Sequence, residues 1–183
     1  MRISKIIIFY LLLGAFFSAC ISDDVDFDQA QNIELNPVAK VSLVYFKVDQ
    51  SNFVDPITNI DTPLRFDFSD INVFDNDISE NNVKRAILKI EIENTFNKDY
   101  KLDYYLIDKD NNTLDVLSFN TSEHSLFTTD IEYLQGTPEY DNLVKTTRIY
   151  IVVDQIANAN TTDGAMFLHF KSAVDLYLMI GND

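Results

Sequence analysis

The sequence predicts an all-β protein, an antiparallel sandwich of about seven or eight strands. From residue 38 onward, apolar and polar residues mostly alternate, which is typical of strands with one buried face. Short polar segments rich in Asn and Asp separate these runs, as turns do. A hydrophobic content of 46% and an aromatic content of 13% favour a folded core over a disordered chain.

The clearest strand is the run VKRAILKIEIENTF at 83–96, a half-buried strand in which apolar and charged residues alternate: Ala86, Leu88, Ile90 and Ile92 on one face, and Lys89, Glu91 and Glu93 on the other. The same alternation predicts strands in PLRFDFSD at 63–70 and AVDLYLMI at 173–180. Two runs are apolar on both faces, VAKVSLVYFKV at 38–48 and RIYIVV at 148–153. These two are expected to be central strands of the sandwich.

A hairpin is predicted where KLDYYLID at 101–108 and TLDVLSF at 113–119 flank a polar turn. A further strand, GAMFLHFK at 164–171, is followed at once by Ser172 and Ala173, which are poor residues for a tight turn. We therefore expect either a strained hairpin at this point or one strand that bends between the two sheets.

The segment 121–142 is the least regular part of the domain. Within it, Thr137 is a candidate helix N-cap and Pro138 a candidate first helical residue, so one short helix is expected. A loop is expected over 49–62. The strand count and polar turns predict an immunoglobulin-like sandwich, although the chain lacks the Cys…Trp…Cys pattern of true immunoglobulin domains.

The segment LKIEIENTFNKDYKLDYYLIDKDNN at 88–112 resembles one strand-turn-strand repeat of the late-embryogenesis-abundant-like sandwiches. This resemblance supports the same fold class and transfers no functional site.

The first residues have the pattern of a secretory signal. MRISK carries Arg2 and Lys5, and IIIFYLLLGAFF at 6–17 follows without a charge. As a helix these apolar residues would rise about 18 Å, which is short for a bilayer core of about 30 Å. A cleaved signal over 1–19 is therefore favoured over a permanent transmembrane anchor.

The residues FSAC, which end at Cys20, resemble the lipobox of bacterial lipoproteins. Ser18 and Ala19 fit the small positions of that motif, while Phe17 departs from its usual aliphatic residue. The resemblance implies that the Cys20 thiol receives a diacylglyceryl group, that the signal is cleaved before it, and that the new amino group is acylated with a fatty acid such as palmitate. The alternative is an ordinary signal peptide with a chance cysteine.

The cysteine count agrees with lipidation. Cys20 is the only cysteine, so an exported chain would hold no internal disulfide, and acylation would remove an exposed thiol that oxidises easily. Each buried CH₂ group of an acyl chain contributes about 0.8 kcal/mol, and two chains give stable anchoring where one does not.

An acidic segment follows the cysteine. Without Arg2 and Lys5, the 164 residues from Cys20 onward carry 12 basic and 29 acidic side chains and a formal charge of -17. Residues 20–36 are expected to form a flexible, solvated tether before a single β-sandwich domain at 37–183.

Within the tether, Ser22, Asp23 and Asp24 resemble the lipoprotein export signal of Bacteroidetes. That resemblance implies attachment to the outer membrane with the domain facing the cell exterior. The alternative is the periplasmic face.

The remaining motifs favour structural roles over chemistry. A formal charge of -15 argues against nucleic acid as a partner. Asp108, Asp110 and Asn112 begin like a calcium loop, but Thr113 and Phe119 occupy the positions where an EF-hand needs Gly and Glu, so a hairpin turn is favoured.

His124 and His169 lack neighbours that would complete a metal site, and Glu91 with Glu93 is interpreted as a solvated strand face. No catalytic residue, metal site or cofactor is predicted.

Exposed aromatic residues remain as candidates for binding. Tyr104 is expected in the core, whereas Tyr105 is left as a possible aromatic binding surface. The sequence therefore predicts a non-enzymatic, lipid-anchored interaction or structural module with a protein partner at the cell envelope. The alternative is a carbohydrate-binding accessory lipoprotein, and an enzyme is the least favoured class.

Overall fold

A computed structural model describes residues 36–55, 57–58, 62–68, 71, 82–156 and 166–179. These residues lie in one compact unit, Leu35–Ile180. The predicted signal at 1–19 and most of the predicted tether lie outside the described residues, as do Cys20, Ser22, Asp23 and Asp24.

The described residues form eight strands and one α-helix, which confirms the all-β sandwich. The strands are β1 (Val38–Asp49), β2 (Leu64–Phe68), β3 (Val83–Asn94), β4 (Asp99–Ile107), β5 (Thr113–Thr121), β6 (Ser125–Leu134), β7 (Arg148–Ile156) and β8 (Phe167–Leu178). The helix α1 (Pro138–Val144) joins β6 to β7. Sheet 1 has the order β1-β8-β3-β6 and sheet 2 the order β2-β7-β4-β5, and all neighbours are antiparallel.

This strand order is that of a jelly roll rather than the expected immunoglobulin-like sandwich. In an immunoglobulin domain the first strand pairs with the second. Here β1 pairs with β8, and β4 with β5 is the only pair of consecutive described strands that are neighbours in a sheet. The alternation of residues predicts that a segment is a strand, but it does not identify the partner of that strand, which is why the topology was mistaken.

The core lies between the two sheets, where the period-two pattern buries one face of each strand. The inward residues predicted on 83–96, namely Ala86, Leu88, Ile90 and Ile92, are at most 2% exposed. Aromatic rings join the sheets along one side. The Phe46 ring of β1 stacks on the Phe66 ring of β2 with centroids 4.1 Å apart. Burying one such large apolar side chain contributes about 1.5–3 kcal/mol.

Of the two predicted central strands, one is confirmed and the other is an edge strand. The run 148–153 lies in β7, which is a central strand as expected, but the run 38–48 lies in β1, which is an edge strand. The apolar residues on the outer face of β1 are simply exposed, since Val38 and Tyr45 retain 44% and 64% of their accessible surface.

The last strand forms neither a hairpin nor a bend between sheets at Ser172. Strand β8 runs without interruption and stays in sheet 1, with β1 on one side and β3 on the other. The irregularity lies instead in β1, where the register shifts between Ser42 and Val44. Ser172 points inward and its hydroxyl lies 3.4 Å from the Tyr104 hydroxyl of sheet 2.

The segment 121–142 contains more structure than expected. The short helix is confirmed, with Thr137 as its N-cap and Pro138 in its first turn. Strand β6 was missed, because its inward positions include Thr129 while Leu126 and Leu134 point outward. In the loop expected at 49–62, residues Gln50–Phe53 form one turn of 3-10 helix that buries Phe53.

Candidate functional site

Tyr105 lies on the outer face of sheet 2, on the central strand β4. Its neighbour Tyr104 points inward and is completely buried, as expected from the alternation. Burial raises the pKa of the Tyr104 hydroxyl far above its ordinary value. Tyr105 is only partly buried and faces away from the core.

A second tyrosine lies beside Tyr105. Tyr150 of β7 is its cross-strand partner, and the two ring centroids are 5.8 Å apart with planes inclined by 56°. On the other side, Val116 of β5 is opposite Tyr105 and 42% exposed. We call Tyr105, Tyr150 and Val116 the tyrosine patch.

The sequence pattern does not mark Tyr150 as a surface residue. The run RIYIVV is apolar at almost every position, so its pattern does not show which face is buried. In the structure, Ile149 and Ile151 are at most 1% exposed, which places Tyr150 on the opposite, outer face.

Charged groups border the tyrosine patch at the end where Arg148 lies. The Arg148 guanidinium forms an ion pair with Asp67 of β2, and its Nη1 donates to Asn111 Oδ1 over 2.8 Å. The hydrogen bond from Arg148 holds the pKa of Asp67 below its ordinary value. A fixed guanidinium between two acceptors provides a directional polar contact beside the aromatic rings.

Asp103, two residues before Tyr105, provides a second polar group. Its carboxylate accepts from Lys101 Nζ over 2.8 Å and from Ser118 Oγ over 2.6 Å. Partial burial opposes ionisation, but the hydrogen bonds from Lys101 and Ser118 outweigh it, so the pKa of Asp103 lies below its ordinary value. An apolar centre with a polar border is the anatomy of a protein interaction surface.

The inclination of the two rings bears on the kind of ligand. Sugar rings stack on aromatic faces, and two coplanar rings would extend such a platform along a glycan chain. The 56° between Tyr105 and Tyr150 gives no coplanar platform. Both tyrosines are partly exposed on this face.

Acidic residues of β3 and β8 form ion pairs with lysines on the outer face of sheet 1. Glu91 Oε1 accepts from Lys171 Nζ over 2.6 Å, and Asp175 Oδ2 lies 2.8 Å from Lys89 Nζ. The hydrogen bonds that the lysines donate to these carboxylates raise the pKa of each lysine. The Glu91–Lys171 pair is exposed and agrees with a solvated charged face, whereas Asp175 is buried.

The two histidines occupy separate places. His169 Nδ1 lies 3.6 Å from Glu93 Oε2 on sheet 1, and its ring meets the Tyr45 ring edge to face. His124 lies in the β5–β6 connection beside Asn97. Among the residues described, no group of three or more His, Cys, Asp or Glu side chains is arranged to hold a metal ion.

The aspartate-rich segment after β4 is the turn of the predicted hairpin. Asp108 Oδ1 accepts from the Asp110 and Asn112 main-chain N–H groups over 2.9 and 2.8 Å. Asn111 adopts a φ of 64°, which Asn tolerates better than most residues. Hydrogen bonds from Asn112 and Asp110 hold the pKa of Asp108 below its ordinary value.

The interior holds a cavity of about 10 Å³ between the sheets and α1. Apolar side chains dominate its lining, among them Leu88, Leu106 and Leu143. A space of this size is at the lower limit for one water molecule, so it is a packing defect rather than a ligand site.

Within the described part of the chain, no helix has the length and apolar character needed to cross a bilayer.

No protein-family model and no curated protein matches the chain. Among solved structures, the chain is similar to infectious bursal disease virus, Gt strain, with 11% identity, a TM-score of 0.39, and coverage of 81% of this chain and 34% of that chain. It is also similar to the tobacco streak virus coat protein, with 15% identity, a TM-score of 0.32, and coverage of 73% of this chain and 85% of the coat protein chain. For turnip yellow mosaic virus the identity is 9% and the TM-score is 0.32, and the similarity covers 81% of this chain and 98% of the viral chain.

The chain spans about a third of the length of the bursal disease virus chain to which it is similar. At these TM-scores the likenesses assign neither an activity nor an assembly to this protein.

Proposed function

We propose that the protein is a lipid-anchored module of the cell envelope that binds another protein and catalyses no reaction. The single observation that carries the proposal is Cys20, placed directly after an apolar segment and the small residues Ser18 and Ala19. Acyl groups on Cys20 would hold the chain at the outer membrane, since two or more chains give stable anchoring.

Surface display is the second part of the proposal. Ser22, Asp23 and Asp24 would direct the lipoprotein to the exterior face, and the acidic residues that follow would keep the tether extended. The alternative is display toward the periplasm.

The tyrosine patch is the proposed contact surface for a protein partner. Tyrosine is enriched at the energetic centres of interfaces, because it offers a large apolar area together with a hydroxyl group. The borders formed by Arg148 with Asp67 and by Lys101 with Asp103 supply polar contacts around that centre.

A glycan is the second candidate ligand for the same patch. The observation that favours it is the outward-facing Tyr105 ring beside the fixed polar groups of Asp103 and Ser118. Tyr105→Ala would abolish binding of the full-length protein to a glycan array, whereas Tyr105→Phe would retain stacking. Equal glycan binding by wild type and Tyr105→Ala would contradict this alternative.

Membrane fractionation tests the anchoring. Cys20→Ala should release the protein from the membrane fraction, because the acceptor thiol is gone. The matched control is Gln31→Ala, which changes the tether outside both motifs and should leave the protein in the membrane fraction. If Cys20→Ala still fractionates with the envelope, the lipid anchor is wrong.

A further inference from the structure

A jelly roll has four outer strand edges, and three of them here carry features that oppose pairing with another strand. Strand β1 contains a register shift and presents Lys40 and Lys47 on its outer face. In the described residues, strand β2 is five residues long. Strand β5 contains a register shift against β4. Bulges, lysines and short length are the usual means by which proteins prevent edge-to-edge association.

Strand β6 carries none of these features. Its ten residues pair with Arg85–Asn94 of β3 in an unbroken register. It contains no Pro, Lys or Arg. In the described part of the chain, β3 is its only neighbour in the sheet, so the other side of β6 is an edge.

The direction of the main-chain groups on β6 follows from one hydrogen bond. The Gln135 N–H donates to the Lys84 oxygen over 3.0 Å. In an antiparallel ladder the hydrogen-bonded pairs alternate, so odd-numbered residues of β6 direct their main chain toward β3. The N–H and C=O groups of Leu126, Thr128, Asp130 and Glu132 therefore point toward the edge. Leu134 fits the pattern, because its oxygen turns away from β3 and accepts from the Thr137 N–H.

The two faces of the β6 edge differ in chemistry. Toward the core, Phe127 and Ile131 are half-buried and pack against the core cluster. Toward solvent, Asp130 and Glu132 are exposed, and the Glu132 carboxylate forms an ion pair with Arg85 of β3. A strand added beside β6 would place one of its faces against apolar side chains and the other beside Asp130 and the Glu132–Arg85 ion pair.

We propose that the β6 edge binds an extended segment of a partner protein in which apolar and basic residues alternate. Main-chain hydrogen bonds to the residues from Leu126 to Glu132 would add this segment as a fifth strand of sheet 1. A second copy of this chain is the less favourable occupant. Antiparallel pairing with Leu126 opposite Leu134 would set Asp130 against Asp130 of the other copy, and each chain carries a formal charge of -15.

This proposal goes beyond the lipid anchor and the tyrosine patch, because neither contributes to it.

A peptide-binding experiment tests the proposal. The probe is an acetylated, amidated, fluorescein-labelled nonapeptide that alternates lysine and valine around a central threonine. Fluorescence anisotropy with the full-length protein in mild detergent should show saturable binding. The same peptide with glutamate in place of lysine should bind at least tenfold more weakly.

Two pairs of variants test the geometry. Thr128→Pro removes an N–H that points to the edge and leaves the β3 ladder intact, so it should weaken binding at least tenfold, while Thr128→Val should bind as wild type does. Asp130→Asn should weaken binding severalfold. Asp110→Asn is its control, since it removes the same charge from the β4–β5 turn.

Amide hydrogen exchange followed by NMR tests the edge in the wild-type protein. Added lysine–valine peptide should slow exchange at Leu126, Thr128, Asp130 and Glu132 and leave the odd-numbered residues of β6 unchanged. Slowed exchange elsewhere in place of these four amides would overturn the proposal. Equal binding of both peptides, or full binding by a folded Thr128→Pro protein, would overturn it as well.

Discussion

The hydroxyl of Tyr140 donates a hydrogen bond to the main-chain oxygen of Val83 over 2.8 Å. This hydrogen bond connects α1 to the first residue of β3, near Leu134 at the C-terminal end of β6. Tyr140 is 4% exposed and Val83 is completely buried, so the oxygen has little access to water as an alternative partner. Tyr133 of β6 is 2% exposed as well, but its hydroxyl has no hydrogen-bond partner among the described residues.

These two tyrosines should respond differently to loss of the hydroxyl. Tyr140→Phe should lower the free energy of unfolding by about 1–2 kcal/mol, because it leaves the Val83 oxygen buried and unpaired. Tyr133→Phe should change that free energy by less than about 0.5 kcal/mol or raise it, because it removes an unpaired buried hydroxyl. Urea denaturation of both variants measures the difference. Equal losses of unfolding free energy in the two variants would contradict the hydrogen bond from Tyr140 to the Val83 oxygen.

The stability of the fold should fall in alkaline solution through Tyr133. Burial, with Asp115 and Glu139 nearby, raises the pKa of Tyr133 to about 12. Below pH 10 both folded and unfolded chains keep the proton, so this group adds no pH dependence. Between about pH 10 and 12 the unfolded chain loses the proton while the folded chain keeps it, so the free energy of unfolding decreases as the pH rises.

Tyr133→Phe removes this contribution. Relative to wild type, the variant should gain up to roughly 2–3 kcal/mol in unfolding free energy between pH 9 and pH 12, at 1.36 kcal/mol per pKa unit. Urea denaturation across that range measures the gain. The same pH dependence in both proteins would show that the Tyr133 hydroxyl ionises as freely in the folded chain as in the unfolded one.

The sequence predicted the strands better than their arrangement. Residues 83–96 alternate strictly enough to identify both the strand and its buried face, and Thr137 with Pro138 marks the start of α1 by local chemistry alone. The pairing of β1 with β8 joins the two ends of the domain, and no local pattern encodes it.

The candidate site was predicted only in part for a similar reason. Tyr105 was identified, but Tyr150 becomes its neighbour through the antiparallel register of β4 and β7. Strand β6 was missed because the apolar residues Leu126 and Leu134 lie on its solvent face, which obscures the alternation.

Surface display should depend on the residues after Cys20. External protease added to intact cells should digest the wild-type protein. Changing Ser22, Asp23 and Asp24 together to Ala should protect the protein, because the export signal is lost. The matched control changes Asp28 and Glu34 to Ala, which removes the same charge outside the signal, and it should stay accessible. Digestion of the triple variant, or protection of wild type, would contradict display on the exterior face.

The most direct test of the lipid anchor is the mass of the N-terminal tryptic peptide of the protein isolated from its own membrane. We expect a peptide from Cys20 to Lys40 that lacks residues 1–19 and carries a diacylglyceryl group on the Cys20 sulfur and a fatty acyl chain on the new amino group. An unmodified Cys20, or a peptide that retains residues before it, would contradict the lipid anchor and the envelope function built on it.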